Sequence, residues 1–557
     1  MVAQALRRQE LTSVLASTSS QDLPPSRAGA NLLDGDLALL EALRREGAGA
    51  LEKECREFGA MADGPRVIDD GFTVNEKAPE LLRYDRSGRR VDEIEFHPAW
   101  HRLMTLSVEH GIAGSAWADP RPGAHVARAA KFMMINQVEA GIGCPLAMTH
   151  SSVPALRLTP GGAEWEALVT SGIYDPAPSP AAGKRGALVG MALTERCGGS
   201  DVRGSATVAI PDGEGGWLLN GAKWFVSAAQ SDAFFVLARS SGGLSLLLVP
   251  RRTPEGTTNG LRFDRLKQKL GNRSNPTAEV ELENARGVLV GEEGAGVRAI
   301  MTMIGGTRQD CVLGSTAVMR LGTAEAIHWA ANRVAFGRAL IEQPAMRAVL
   351  ADLALESEAA TAGAMRLARA TEAAHGGDIA EEMLRRLAAP VLKYWTCKRA
   401  PQHLGEALEC QGGFGYIEES RLARGYREAP LMSVWEGSGN VQVLDVLRAL
   451  ARAPQARDVL LDEIDLARGG DRRLDVESGL LRGTQFDVED EAGARLLAGR
   501  MARALQASLL IRGAPAAVAD AFCETRVGGS GGRTFGELPA GLALEEILER
   551  ARPDQDA

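Results

Sequence analysis

The feature that most constrains this chain is a change of texture at Gly186 that reverses at Gly294. Between them lie ALVGMALTE, GWLLNGAKWFVSA, DAFFVLARS, LSLLLVPRR and TAEVELENARGVLVG, short apolar or alternating runs separated by Gly, Pro, Asn and Asp. Such runs read as strands, with PDGEGG at 211–216 as a hairpin turn. On either side the period is helical. Leu37, Leu40, Leu43, Leu51, Cys55 and Phe58 recur on one face of a helix over 37–61. Pro98–Glu109 and His125–Gly141 follow, then a loop rich in Pro and Gly at 175–187. After Gly294, Val297, Ile300, Met301 and Ile304 begin a helix, and 345–373 and 378–410 keep its period. The last hundred or so residues are helical again, most clearly in ARLLAGRMARALQASLLI, with GGSGGRT at 528–534 as a loop.

The fold class expected is therefore mainly α with a central β domain. Its divisions are a mobile Ser/Pro-rich arm at 1–35, an N-terminal helical domain at 36–185, a β domain at 186–293, a helical domain at 294–449 and a helical extension at 450–557. Several function classes are disfavoured. No apolar run reaches the length of a membrane span, and no apolar segment of a signal peptide follows the first arginines. The seven cysteines are scattered without CxxC spacing, which fits a reducing cytoplasm. The eight histidines form no metal-binding pattern, so no metal is expected, and His150 in AMTHSS reads as structural. A net charge of −9 argues against nonspecific binding of nucleic acid.

Three stretches could carry chemistry. SVWEGSGNVQ, Ser433 to Gln442, sets Glu436 between Trp435 and Gly437, ahead of a helix expected near Val441. It reads either as a surface turn or as a base in a semi-dry pocket with open backbone amides; Ser438 and Asn440 are residue types that cap helices. MALTERCGGSDVRGSAT, Met191 to Thr207, puts small and hydroxyl residues at a strand end, where a ligand can approach the backbone. It is neither GxGxxG nor a P-loop. In LNGAKWFVSAAQSD, Trp224 and Phe225 are consecutive strand residues and are expected on opposite faces, one in the core.

Taken in order, LTE-x-x-GGSD, NG-x-KW-x-x-S, R-x-x-FG, QGGFGY and WEGSGN resemble the acyl-CoA dehydrogenase family over about residues 100–450. GNRSN, TRQD and the extension look most like its AidB-type, alkylation-response branch. The resemblance implies a β-barrel-like middle domain and a C-terminal four-helix bundle. It implies FAD held by Met191, Thr194, Gly199, Ser200, Phe225, Val226, Ser227, Trp435, Gly437, Ser438 and Asn440. Arg333, Phe336 and Gly412–Gly415 match positions that reach the FAD of a neighbouring subunit, which implies a homotetramer. Glu436 matches the base that removes the α-proton of an acyl-CoA while the β-hydride goes to flavin N5, and Arg308 matches an arginine near the acyl group. The implied electron acceptor is an electron-transfer flavoprotein.

The sequence departs from the family at Arg196, where Pro is common, and at Gly305, where many members carry an acid near the pantetheine arm. Thr307 fills an alternative base position, leaving Glu436 as the evident base. The branch also implies an alternative: a DNA-binding flavoprotein of the alkylation response with vestigial dehydrogenase activity. The extension from 449 holds 14 Arg and no Lys against 19 Asp and Glu, a poor footprint for DNA. Basic stretches remain at RFDRLKQKLGNR and around Arg448, Arg452 and Arg457. An oxidase acting on a small substrate without CoA is a third reading.

Overall fold

The computed structural model describes residues 23–483 and 489–553, so most of the expected arm lies outside the described residues. The remainder of the arm is packed, contrary to expectation. Leu32 and Leu33 join the main apolar core, and Arg27 pairs with Glu325.

The N-terminal block holds α1 (Leu37–Leu43), α2 (Glu52–Ala62) and α3 (Pro65–Glu76), then β1 (Glu80–Tyr84) and β2 (Arg90–Glu95). It continues with α4 (Pro98–Glu109), α5 (Ser115–Ala118), α6 (Ala124–Val138), α7 (Gly143–Leu156) and α8 (Gly162–Val169). The single helix expected over 37–61 is broken at Gly47, whose φ of 98° no helix accommodates. The β1–β2 hairpin has no counterpart in the sequence reading; its apolar contact with the barrel core comes from one cross-strand pair, Leu81 and Ile94, too little to mark an alternation.

The middle block holds β3 (Val189–Ala192), β4 (Val208–Pro211), β5 (Trp217–Ser227), β6 (Ala233–Ser240), β7 (Gly243–Pro250), β8 (Leu261–Leu266) and β9 (Thr277–Val290). β6 pairs β4, β4 pairs β5, β5 pairs β9, β9 pairs β7 and β7 returns to β6, which closes a barrel. β3 adds to β6 in parallel, and β8 adds to β9. Both faces of β6 are buried, which is why it reads as an unbroken apolar run. Phe234, Val236 and Ala238 belong to one core, while Phe235 and Leu237 pack with Met148 and Leu156 of α7.

The C-terminal block begins with α9 (Gly296–Asn332), 37 residues long, or about 55 Å at 1.5 Å per residue. A hairpin, β10 (Val334–Ala335) and β11 (Arg338–Ala339), leads to α10 (Pro344–His375), α11 (Ile379–Cys410), α12 (Arg421–Glu428) and α13 (Gly439–Arg452). The helices α9, α10, α11 and α13 pack as a bundle. The extension adds α14 (Pro454–Asp465), α15 (Arg472–Gly483), α16 (Ala494–Gly513), α17 (Ala516–Phe522) and α18 (Leu544–Ala551). It is docked on the bundle by α16 and by buried ion pairs, Arg526 with Glu356 and Arg550 with Glu358.

Candidate active site

Glu436 lies on the loop that enters α13. The loop turns through two successive left-handed residues, Glu436 at φ 55° and Gly437 at φ 93°. A non-glycine residue held there costs on the order of 1–3 kcal/mol and needs over-determined surroundings. Those surroundings are present. Buried Lys393 donates to the carbonyls of Met432 (3.2 Å), Trp435 (2.9 Å) and Gly437 (2.9 Å). Gln442 donates to the carbonyls of Glu436 (3.0 Å) and Gly437 (2.9 Å). A β-carbon at position 437 would stand 2.8 Å from Gln442 and from Val441, so only glycine fits.

The Glu436 carboxylate accepts from Thr307 Oγ1 at 2.9 Å. Burial raises its pKa; the Thr307 hydrogen bond and the charges of Lys393 and Arg308 oppose that rise. The result is a half-buried carboxylate of enhanced basicity beside an indole, the environment a general base requires. Arg308 does not point freely toward a substrate. Its Nη1 pairs with Asp445 at 2.7 Å and its Nε donates to the Glu436 carbonyl at 3.2 Å. Arg386 also binds Asp445, so Arg308 is a brace for the loop.

The second component is the loop after β3. Glu195 is buried and collects donors from Thr207 Oγ1 (2.7 Å), the Ala206 amide (2.7 Å), Lys223 Nζ (2.6 Å) and Ser205 Oγ. Burial works against its charge, but these partners hold its pKa down to about 2. The Thr194 carbonyl accepts from the Trp224 amide at 2.8 Å, so the start of the loop is fastened to β5, while at its other end the Thr207 carbonyl accepts from the Arg239 amide of β6 at 2.8 Å. Thr194 is half-buried, and Gly199 and Ser200 are exposed.

Trp224 and Phe225 do not divide between core and surface as expected. Lys223 pairs with Val280 and Val226 with Ala278, so Trp224 and Phe225 together stand against Glu279 alone. This bulge cancels the strand alternation. One ammonium, Lys267 Nζ, lies 3.5 Å from the Trp224 ring centroid and 4.4 Å from that of Phe225. Phe225 is 49% exposed. Val226 turns into the barrel core, so its side chain cannot line a ligand, while Ser227 returns to the outer face.

The structure brings one set of the expected residues together. Met191 and Trp435 share an apolar cluster with Cys144, Met148, Met303 and Ile304, which joins barrel to bundle. The Trp435 indole nitrogen is buried and finds no acceptor among the described residues. Ser438 is the N-cap of α13, which starts at Gly439 rather than Val441, and its hydroxyl makes no capping bond. Asn440 departs from its expected role, since its carboxamide oxygen accepts from Arg495 of the extension at 2.9 and 2.6 Å.

The other set lies elsewhere. Arg333 follows Arg308 by 25 residues along α9, a run of about 37 Å. Phe336 and Gly337 have φ of 53° and 81°, a tight hairpin turn that leaves Phe336 95% exposed. Phe414 of the Gly412–Tyr416 turn stacks on Trp329 at 4.8 Å, near the same end of α9. The two sets therefore lie far apart along α9 in one chain.

Sequence reasoning missed Lys393, Gln442 and Asp445, which hold the Glu436 loop, and gave Glu195 and Lys223 no role. Glu195, Lys223 and Gln442 stood inside quoted stretches, while nothing in the sequence marked Lys393 or Asp445. His150 stands with His125 and His375 around Trp117, and burial depresses the pKa of all three imidazoles.

Comparison with known proteins gives three family matches along the chain. The AidB N-terminal domain of adaptive response proteins matches residues 22–176, the acyl-CoA dehydrogenase middle domain 190–285 and the acyl-CoA dehydrogenase C-terminal domain 294–451. AidB of Escherichia coli (strain K12) is 42% identical over 521 residues, 93% of this chain and 95% of that protein. The crystal structure of Caenorhabditis elegans ACDH-11 in complex with C11-CoA superposes with a TM-score of 0.81 at 26% identity, covering 97% of this chain and 93% of that one. An acyl-CoA dehydrogenase from Bacillus anthracis complexed with FAD shares the fold, with a TM-score of 0.62 at 17% identity, over 83% and 87% of the two chains.

Proposed function

Because the chain belongs to the acyl-CoA dehydrogenase family, in its AidB-type branch, we propose that it is an FAD-dependent oxidoreductase acting on the CH–CH bond of an acyl thioester. The observation that carries this reading is Glu436, a carboxylate of raised pKa held in a strained loop by four separate side chains. In this role it takes the α-proton of the thioester. Thr307 orients the carboxylate, and Lys393 and Gln442 fix its backbone.

The residues present fit FAD. The exposed Phe225 ring and the Ser227 hydroxyl on the outer face of β5 offer a platform for a planar ring. Thr194 and Ser200 supply hydroxyls at the strand end, and the first turn of α13 supplies open amides beside the uncapping Ser438. When bound, FAD supplies the acceptor for the β-hydride. Phe336, exposed at the far end of α9, supports a second copy completing the site and hence a homo-oligomer, a tetramer in our reading. All seven cysteines are free thiols, which supports a cytoplasmic location, and no helix among the described residues is long and apolar enough to cross a membrane. An electron-transfer flavoprotein is the proposed acceptor.

The DNA-binding alternative is less supported. Within RFDRLKQKLGNR, Arg262 pairs with Glu283, and Arg265 and Lys267 pair with Glu279, so neighbouring strand acids spend that charge. The test is anaerobic titration of the FAD-loaded protein with a panel of acyl-CoA thioesters. Bleaching of the flavin by at least one of them supports the proposal, and an unbleached spectrum across the panel overturns it.

A further inference from the structure

A hydrogen-bonded chain of three side chains ends on the outer face of β5. Lys269 Nζ donates to Thr277 Oγ1 at 3.0 Å and also to the Asn275 carbonyl. Thr277 Oγ1 lies 3.3 Å from Ser227 Oγ, its cross-strand partner in the β5–β9 ladder. An ammonium can only donate. The Thr277 oxygen is therefore an acceptor toward Lys269, and either hydroxyl can donate in the Thr277–Ser227 bond. When Thr277 donates, Ser227 keeps its proton for a third partner. In that arrangement the chain runs one way, and hydrogen bonds in series polarise one another.

The chain is also held in place. Thr277 is buried. Buried Asn275 accepts from the amide of Ala228, the residue after Ser227, at 3.1 Å, and donates to Asn272 at 2.9 Å. Ala228 and Asn272 both sit at left-handed φ, 49° and 55°, so the segment carrying Lys269 is locked to the end of β5 at two strained positions. Burial lowers the pKa of the Lys269 ammonium to about 8, and the Cys144 thiol and the Glu428 carboxylate, on α7 and α12, oppose that fall.

We propose that Lys269 is a positioning residue for the cofactor: through Thr277 it fixes the Ser227 hydroxyl as a donor toward the bound flavin ring and so raises the flavin's reduction potential. This rests on the assignment of Phe225 and Ser227 to the flavin face. Removing the ammonium leaves the hydroxyl free to turn, and loss of that directed donor disfavours the electron-rich reduced form.

The test is a spectroelectrochemical measurement of the flavin midpoint potential in the FAD-loaded full chain. Wild type, Lys269→Met, Ser227→Ala and the double variant form a cycle. Lys269→Met is expected to reduce the equilibrium constant for two-electron reduction about tenfold, a negative shift of about 30 mV. In the Ser227→Ala background the same substitution is expected to have no further effect. Thr277→Val cuts the chain at its middle and gives the same shift should Lys269→Met fold poorly; Lys269→Arg restores most of the potential. A potential indifferent to both Lys269→Met and Thr277→Val overturns the proposal. So does a Lys269→Met shift of equal size with and without Ser227, which would mean a through-space charge alone. A wild-type chain that takes up no FAD overturns the functional reading itself; a flavin-loaded chain failing the cycle overturns only the role of Lys269.

Discussion

Thr307→Val removes the hydroxyl that donates to Glu436 and keeps the β-branched shape. The hydroxyl lies 2.9 Å from Glu436 Oε2 and 3.2 Å from the Ile304 carbonyl. One proton serves two acceptors, so its bond to the carboxylate is worth the lower end of the range for charged partners, about 1.5 kcal/mol. At about 1.4 kcal/mol per pKa unit, its loss raises the Glu436 pKa by about one unit. The sign follows from the structure: the donor stabilises the carboxylate, and burial has already pushed this pKa upward. The carboxylate is the active form, so the acid limb of the reaction moves to higher pH by about one unit. The assay is stopped-flow bleaching of the flavin by a competent acyl-CoA as a function of pH, with Thr307→Ser as the conservative control. Above the limb the variant is expected to match or slightly exceed wild type, because a stronger base is then fully ionised. An acid limb that stays in place or moves to lower pH refutes the reasoning.

Further substitutions test the surroundings. Lys223→Met strands the Glu195 carboxylate in the barrel wall; breaking a buried pair costs about 3–5 kcal/mol, visible as a lower Tm and faster FAD loss on dilution. Lys393→Met leaves three loop carbonyls without their shared donor, and the bleaching rate is expected to fall by more than tenfold while FAD stays bound. Phe336→Asp puts a charge on the exposed hairpin tip; light scattering is expected to show smaller oligomers that retain less FAD, with helix content by circular dichroism unchanged.

The order of helical, β and helical blocks was legible because it rests on local period alone, and the strands of the middle block other than β4 and β8 fall in the quoted runs. β8 was hidden because Arg262, Asp264 and Arg265 break up its short apolar alternation, and the two arginines are answered by acids on β9 that are distant in sequence. The break at Gly47 was hidden because the apolar period continues across it. At the site, Glu436, Trp435 and Gly437 were legible as a motif. The supports were not: Lys393 and Arg308 reach the loop from α11 and α9, and nothing beside them in the chain marks that contact. Trp224 and Val226 were misplaced in opposite ways for one reason. The bulge shifts which residues face outward, and it depends on pairing with β9 rather than on β5 itself. Asn440 was misassigned because Arg495, its partner, belongs to the extension.

The account's central claim is that Glu436 removes the α-proton of an acyl thioester. The most direct measurement is deuterium wash-in at the α-carbon of a 3-thia-acyl-CoA, which has no β-hydrogen to transfer, incubated with the FAD-loaded protein in D2O and followed by mass spectrometry. Exchange well above the protein-free rate, abolished in Glu436→Gln with FAD still bound, is the predicted result. Exchange that proceeds equally fast in the Glu436→Gln variant would contradict the claim.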